Sequence, residues 1–368
     1  MGARTRGIAN NILSDGLDAT DGLSGALSSS NITNASVTNV TSTPSIGGGF
    51  DKVASDPPSP TEGDIWYNTT SNTVKGYVLS PRSAAWATGG TLSTNKDKPG
   101  FAGTQTAALS FGGQTTGPNY STDTESYDGS SWTSLNSLPA ARGEGASAGT
   151  QTAAFFAGGR TTGDSQVNTS YDWDGTNWTS SPGNMNTTRY IMGSCGTQTA
   201  GLATGGYTTG NISSAEEYNG STWTSVTSMP ISRRTQIGFG IQTNAVIAGG
   251  QAPPNAAASE VLGYDGTTWT SLNNLNAARS DAGSSGDASS AIIFNGFSGG
   301  GSSNTAAYYD GTSFSSAPNT NTTKTRVGGL SSGSTQGAAL QVAGGPSYTN
   351  TSEEFLGDDI VTQVKTLG

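Results

Sequence analysis

Residues 147–192 read SAGTQTAAFFAGGRTTGDSQVNTSYDWDGTNWTSSPGNMNTTRYIM, and copies of this stretch follow one another along much of the chain. Within it, an apolar run ends at Gly158-Gly159, a turn holds Asp174-Gly175, and Trp178 follows the turn. The tryptophan recurs every 45 or 46 residues, and the spacing continues through a phenylalanine and an isoleucine: Trp86, Trp132, Trp178, Trp223, Trp269, Phe314, Ile360. A period of this length indicates one supersecondary unit copied many times.

Each copy predicts four short strands. Asp-Gly or Asn-Gly recurs before the tryptophan, and this dipeptide favours the two-residue hairpin turn, which needs positive φ at both positions. The first strand consists of small residues, as in Gly283 to Gly286, and suits a crowded centre. The pattern therefore predicts an all-β fold, a β-propeller of six four-stranded blades within residues 97–368. A seventh, partial blade from residues 61–96 is an alternative, because Trp86 and Lys96 keep the period. We expect Trp132, Trp178, Trp223 and Trp269 to be largely buried between blades.

Composition excludes several classes of protein. Glycine accounts for 54 of 368 residues and only 11% are charged, a composition that disfavours long helices. The net charge of −10 offers no basic face for nucleic acid. No stretch reaches 18 apolar residues, so we expect no membrane insertion. Cys195 is the single cysteine, which excludes an intrachain disulfide and favours folding in a reducing compartment.

A basic residue follows each aromatic anchor after ten or eleven residues. The six are Lys96, Arg142, Arg189, Arg233, Arg279 and Lys324. They are six of the 16 Lys and Arg residues, which is too ordered for a solvated surface. We expect a repeated structural role, such as bonding carbonyls between neighbouring units. The alternative is a basic ring around a central channel that binds an anion.

The residues needed for common catalytic sites are missing. The chain contains no histidine, which excludes the usual serine and cysteine triads and histidine-ligated zinc or copper. Glu125, Glu216 and Glu353 each lie seven residues before an anchor. Paired carboxylates can hydrolyse glycosides, but glutamates on a strand surface are the better interpretation. We expect no metal, no cofactor and no enzymatic activity.

Several co-occurring features resemble the kelch repeat. They are the glycine pair, a tyrosine five residues before tryptophan, and a following Leu/Met-Pro and arginine, as in Tyr218, Trp223, Met229-Pro230 and Arg233. The resemblance covers residues 97–368 and implies a β-propeller. Upstream, Gly63 to Tyr77 looks like a short β module of bacteriophage tail and fibre proteins. The Ser/Thr/Asn/Gly-rich composition is similar to that of kelch-like structural proteins of marine phages.

These resemblances imply a structural protein of a phage virion, of the tail fibre or tail-tip type. Residues 1–50 are rich in Ser, Thr and Asn and cannot bury a core alone. We interpret them as an extended N-terminal anchor to other virion proteins, with a disordered tail as the alternative. Residues 51–96 are a linker plus the short β module. The resemblance also implies location in the virion after assembly in the host cytoplasm, and a homo-oligomer in the particle.

The leading hypothesis is a non-enzymatic protein whose propeller is displayed for adhesion to a host-surface glycan or protein. A capsid-decorating or head-fibre protein and a carboxylate-dependent glycan-cleaving enzyme are the alternatives. The loops after the glycine pairs vary between copies and are the expected contact surface, unless their variation is drift. Their side chains suited to sugar or protein contact are Tyr120, Arg160, Tyr207 and Tyr348.

Overall fold

A computed structural model describes residues 51–60, 64–328, 335–357 and 359–367. These residues form strands, turns and bends without a helix, so none of them provides a helix able to cross a membrane. The predicted N-terminal anchor, residues 1–50, lies outside the described residues. The chain divides into a larger unit, Ala84–Gly357, and a smaller unit built from the residues on either side of it.

Among the described residues, the larger unit contains six main antiparallel sheets, and the strands pair in chain order within sheets 1 to 5. Sheet 1 consists of Gly100–Thr104, Ala107–Phe111, Thr124–Tyr127 and Trp132–Leu135. Sheet 2 consists of Ala146–Gly149, Ala154–Ala157, Ser170–Trp173 and Trp178–Ser180. Sheet 3 consists of Gly193–Thr197, Ala200–Thr204, Ala215–Tyr218 and Trp223–Val226. Sheet 4 consists of Ile237–Ile241, Asn244–Ala248, Val261–Tyr264 and Trp269–Leu272. Sheet 5 consists of Gly283–Gly286, Ala291–Phe294, Ala306–Tyr309 and Phe314–Ala317. The predictions of an all-β chain and of four-stranded repeats are confirmed.

Two-residue strands add small hairpins beside these sheets. They are Arg142–Gly143 with Arg160–Thr161 and Ser165–Gln166, Gln251–Ala252 with Ala256–Ala257, and Phe297–Ser298 with Gly301–Ser302. They extend the loops that follow the glycine pairs.

Sheet 6 joins the two ends of the larger unit. Its strands are Ala338–Val342, Ser352–Leu356 and Ala85–Thr88, with Trp86 opposite Phe355. Gly328 forms a further bridge to Val342. Trp86 therefore occupies the anchor position of this sheet, and the expectation that Ile360 does so is wrong. Because Ala85–Thr88 completes sheet 6, the described part of residues 61–96 forms no seventh sheet of the larger unit, which begins at Ala84 rather than at residue 97.

The smaller unit is a separate four-stranded sheet. Asp51–Val53 pairs in parallel with Ile65–Asn68, which pairs antiparallel with Thr73–Arg82, and Asp359–Leu367 completes the sheet. Asp56 stabilises this sheet by accepting hydrogen bonds from Lys75 Nζ (2.8 Å), Asn68 Nδ2 (2.8 Å) and Trp66 Nε1 (3.2 Å). Lys75 is the main cause of the lowered pKa of Asp56.

Aromatic side chains fill the spaces between neighbouring sheets of the larger unit. Trp178 lies 4.7 Å from Phe111 of sheet 1, and Trp223 lies 5.6 Å from Phe155 of sheet 2, between ring centroids. The Trp178 indole nitrogen also donates to Thr124 Oγ1 of sheet 1. Both tryptophans are buried as predicted, whereas Trp132 and Trp269 are only half-buried. The shared tryptophan position thus packs each sheet against the preceding one.

A glutamine in the turn between the first and second strands bonds five of the six sheets to the preceding sheet, and sheet 5 has Ala288 at this position. Gln151 Nε2 donates to the carbonyls of Ala108 (3.1 Å) and Tyr127 (2.7 Å). The same pair of bonds is made by the equivalent residues Gln198, Gln242 and Gln336. Gln105 of sheet 1 donates to the carbonyls of Ala339 (3.0 Å) and Phe355 (2.7 Å) in sheet 6.

Replacing Trp178 by alanine should lower the free energy of unfolding by about 3–5 kcal/mol, because a buried indole is lost and a cavity remains. Urea denaturation followed by circular dichroism measures the change. Thr179→Ala, one residue further along at an exposed position, is the control and should change stability by less than about 0.5 kcal/mol. Equal stability of the two variants would contradict this account of the core.

Candidate binding site

The antiparallel strand order gives the larger unit two kinds of connection. Turns between the first and second strands, and between the third and fourth, leave each sheet at one end, which we name the turn end. Loops between the second and third strands, and the segments that join successive sheets, leave it at the other, which we name the connection end. The varied loops after the glycine pairs belong to the connection end.

One residue in each segment between sheets has a left-handed backbone, with φ between 47° and 64°. The six, here named the connection ring, are Lys98, Glu144, Ile191, Thr235, Asp281 and Arg326. This conformation is uncommon for residues other than glycine and unfavourable for β-branched ones such as Ile191. Each lies two residues beyond the basic residue that follows an aromatic anchor.

Backbone hydrogen bonds link the connection ring into a cycle. The N–H of Glu144 donates to the carbonyl of Lys98 (3.2 Å), and that of Ile191 to Glu144 (2.7 Å). The pattern continues through Thr235, Asp281 and Arg326, at 2.8, 3.2 and 2.8 Å. Finally the N–H of Lys98 donates to the carbonyl of Arg326 (3.0 Å). Six bonds therefore return to their starting residue and fix the unusual φ angles.

The connection ring lines a cavity of about 120 Å³, together with Gln236, Met192 and neighbouring backbone. A second cavity, of about 130 Å³, shares Gln236 and Met192 with the first and is lined further by Ser147 and Ser194 of the first strands. The two cavities adjoin, and charged groups line only the first.

Acidic groups around the cavity are more deeply buried than the basic ones. Lys98 Nζ donates to the Glu144 carboxylate, and Arg326 Nε lies 3.2 Å from Asp97 Oδ2. The side chains of Glu144 and Asp97 are 2% and 0% exposed, against 19% for Lys98 and 30% for Arg326. Solvent at the connection end therefore meets the cations before it meets these carboxylates.

Burial raises the pKa values of two acids of the connection end, Asp97 and Asp281. It raises the pKa of Asp97 to about 6, against the opposing effect of the Arg326 and Lys98 charges. Desolvation also raises the pKa of Asp281, again opposed by Lys98.

Two arginines and two tyrosines from three consecutive sheets form a continuous series of contacts, here named the Arg–Tyr row. The guanidinium of Arg160 lies 3.7 Å from the centre of the Tyr190 ring and donates to its hydroxyl at 2.5 Å. Tyr190 meets Tyr207 edge to face, with ring centroids 5.6 Å apart. Arg234 lies over Tyr207 at 5.0 Å. Such cation–π contacts orient the guanidinium planes.

The four predicted contact residues do not form one surface. Arg160 and Tyr207 come together in the Arg–Tyr row through Tyr190, which the sequence analysis did not single out. Tyr120 is 7% exposed and donates to Glu144 Oε2 (3.4 Å), so its selection as a surface contact is wrong. Tyr348 is half-buried in the loop of sheet 6 and makes none of the ring contacts described for the row.

The six basic residues that follow the anchors are all buried. The guanidinium of Arg142 donates to the carbonyl of Thr169 (2.8 Å), and that of Arg189 to Ser214 (2.7 Å). The equivalent acceptors for the next three residues are the carbonyls of Glu260, Thr305 and Thr351. Each acceptor directly precedes the third strand of the following sheet. At 0–4% exposure these side chains do not form an anion-binding ring, the alternative considered for them.

The prediction that Glu125, Glu216 and Glu353 are surface residues is wrong, because all three are buried beside these basic residues. Glu216 Oε1 lies 3.0 Å from Arg189 Nη2. Its carboxylate also accepts the N–H groups of Asn186 (2.6 Å) and Thr187 (3.2 Å). Because these donors occupy the lone pairs of the carboxylate, Glu216 is suited to stabilising the fold and not to activating a water molecule for glycoside hydrolysis.

Within the described residues, no cluster of three or more Asp, Glu or Cys side chains could hold a metal ion. No family model matches the chain, and no curated protein is found to be similar to it. The arrangement of the connection end is therefore the basis for a functional proposal.

The contribution of Asp97 to the free energy of unfolding should increase as the pH falls. The pKa of Asp97 is raised to about 6 in the folded state, against 3.8 for the unperturbed group. The folded protein therefore takes up this proton first, and stability rises as the pH falls from 7 to 4. The excess stability of wild type over Asp97→Asn, measured by urea denaturation, should increase over that range.

Asp128→Asn is the control of opposite sign. Hydrogen bonds from Ser131 and Ser130 lower the pKa of Asp128 to about 2, so its contribution is retained above pH 4 and lost as the pH falls from 4 towards 2. A pH-independent difference between wild type and Asp97→Asn would contradict the assignment.

Proposed function

We propose that the larger unit is a closed, kelch-like β-propeller in which sheets 1 to 6 are the blades. The hydrogen-bond cycle of the connection ring supports closure, because its last bond runs from Lys98 to Arg326. Contacts between strands support it too. Ala338–Val342 of sheet 6 packs against both Gly283–Gly286 of sheet 5 and Gly100–Thr104 of sheet 1. The stacking of Tyr218 on Trp223, with centroids 4.9 Å apart, gives the kelch-like tyrosine–tryptophan spacing a physical role.

Closure predicts that the interface between sheets 6 and 1 contributes as much stability as any other. Gln105→Ala should lower the free energy of unfolding by about 1–3 kcal/mol, because the Ala339 and Phe355 carbonyls lose their partner. Gln198→Ala removes the equivalent bonds between sheets 2 and 3 and is the matched control. In an open array of sheets Gln105→Ala would have no effect, while Gln198→Ala would still be destabilising.

We further propose that the protein is a non-enzymatic binding module that a phage displays for adhesion to its host. The observation that carries the binding role is the contrast between the two ends of the sheets. The turn end repeats a glutamine in five of the six sheets and an Asp-Gly or Asn-Gly turn in sheets 1 to 5, whereas the connection end differs from sheet to sheet and holds the Arg–Tyr row. Variable side chains on a rigid scaffold are where binding usually resides.

The phage setting rests on the resemblance of residues 63–77 to tail-fibre modules and of the repeats to kelch-like virion proteins. On this proposal, residues 1–50 attach the chain to other virion proteins of a tail fibre or tail tip, and the chain is a homo-oligomer there. Placement on the capsid would use the same fold and is distinguished by labelling the chain on intact particles. The carboxylate-dependent enzyme loses support, because its candidate glutamates are buried among hydrogen-bond donors.

Phage particles carrying Tyr207→Ser and Tyr348→Ser should adsorb to host cells more slowly than wild-type particles, because two half-buried aromatic surfaces of the connection end are removed. The measurement is the adsorption rate constant at matched particle counts. Particles with Tyr67→Ser, in the smaller unit, are the control and should adsorb normally. Unchanged adsorption of the double variant, with normal incorporation of the chain, would remove the connection end as the adhesion surface.

A further inference from the structure

All accessible cations of the larger unit lie at one end. Residues 84–357 contain ten Lys and Arg residues, of which six are the buried ones that follow the anchors. The remaining four all lie at the connection end: Lys98, Arg160, Arg234 and Arg326. Two belong to the connection ring and two to the Arg–Tyr row. In a protein of net charge −10, this concentration is a local departure from the average surface.

The turn end carries acidic side chains and, within the described residues, no accessible cation. Aspartates there accept hydrogen bonds from N–H groups and hydroxyls of their own turns, which lowers their pKa values and keeps them ionised. They are Asp128, Asp174, Asp265, Asp287 and Asp310. At the connection end, Lys98, Arg326 and Arg160 pair with Glu144, Asp97 and Asp164. Arg234 forms no ion pair within the described residues, so an anion is repelled by the turn end and can be attracted by Arg234.

Arg234 is the cation best prepared to receive an anion. Its Nε donates to Gln251 Oε1 (3.0 Å) and its plane lies over Tyr207, so its orientation is fixed. Within the described residues, its two terminal nitrogens have no hydrogen-bond partner. By contrast, Arg160 also contacts Asp164 at 3.3 Å, and Arg326 contacts Asp97. A guanidinium held by its Nε presents the paired donors that carboxylate and sulfate groups accept.

Arg234 directly precedes Thr235, which lines the first cavity together with Lys98 and Arg326, so Arg234 lies beside the mouth of this cavity. At about 120 Å³ the cavity is small, which favours a single anionic group over a length of peptide. The half-buried ring of Tyr207 beside Arg234 offers an apolar surface for a sugar.

We propose that this mouth binds acidic saccharides, that is, sugars bearing a carboxylate or a sulfate group. Arg234 pairs with the anionic group and Tyr207 packs against the sugar, while Lys98, Arg326 and Arg160 remain paired with their own carboxylates. This inference rests on the proposed adhesive function only for its biological setting. Binding of an acidic saccharide can be measured on the isolated chain. The inference specifies the chemical class of the surface component recognised.

Isothermal titration of the purified full chain with oligogalacturonate, dextran sulfate and uncharged dextran tests the proposal. Binding is expected for one or both acidic saccharides and not for dextran. The affinity should fall as NaCl is raised from 50 to 500 mM, because the screening length shortens with salt, from about 10 Å at 0.1 M to about 3 Å at 1 M. Arg234→Gln should weaken binding about tenfold or more, as expected for loss of a charge-assisted pair. Lys52→Gln makes the same change of net charge in the smaller unit and should leave the affinity unchanged.

Two further probes identify the ligand class. Tyr207→Ser should weaken binding of the acidic oligosaccharide more than binding of inorganic sulfate, because the sugar loses its contact with the ring whereas sulfate loses only the support that the ring gives Arg234. Equal losses in Arg234→Gln and Lys52→Gln would reduce the effect to general electrostatics and overturn the site. Tighter binding of polyglutamate than of either acidic saccharide would overturn the ligand class.

The adhesive function and this inference fail separately. If particles adsorb through the connection end but the chain binds no acidic saccharide, only the inference is overturned. If the chain binds acidic saccharide as described but the Tyr207→Ser and Tyr348→Ser particles adsorb normally, the adhesive function fails and the site stands.

Discussion

Six backbone hydrogen bonds, passed from one segment between sheets to the next, are the constraint on which the larger unit depends. Each needs a residue in the left-handed region, at a cost of roughly 1–2 kcal/mol for residues with a side chain. The aromatic packing between sheets and the glutamine bonds offset that cost. Because backbone atoms alone form the cycle, the side chains at the six positions are free to differ. They range from Lys98 and Arg326 to Glu144, Asp281 and the apolar Ile191. The same constraint that holds the sheets together therefore leaves a variable, charged lining at the cavity.

The sheets could be predicted from sequence because their signals are local. Asp-Gly turns, glycine pairs and a tryptophan every 45 or 46 residues each specify a strand or a turn within one copy. The composition of sheet 6 could not be predicted in this way. The period continues to Ile360 as regularly as it begins at Trp86, and spacing alone does not reveal which of them completes the last sheet. That choice depends on pairing between Trp86 and Phe355, residues far apart in sequence.

The site was less predictable than the fold because it is assembled from several copies. Periodicity identified the basic residues after the anchors, whose bonds recur with the repeat. It misplaced Glu216, because a buried carboxylate beside a buried arginine has the same spacing as an exposed one. Tyr120 was misjudged because its loop folds back over Glu144. The Arg–Tyr row joins residues of three sheets, so no single copy contains its pattern. Comparison of equivalent positions across copies, rather than along one copy, is the signal that would have found Tyr190 and Arg234.

The same comparison shows that the arginines and tyrosines of the connection end are concentrated on one side, at sheets 2 to 4. Residues at its edge form the same backbone bridge in successive sheets: Tyr190 with Tyr207, Arg234 with Gln251, Ser280 with Phe297, and Thr325 with Gly345. The backbone geometry is thus shared, but arginine and tyrosine occupy these positions in sheets 2 to 4 and small or apolar residues predominate in sheets 5 and 6. Since the small residues support the same bridges, the fold does not require the Arg–Tyr row. Its side chains are therefore free to serve the ligand that we propose for this one side of a repeated structure.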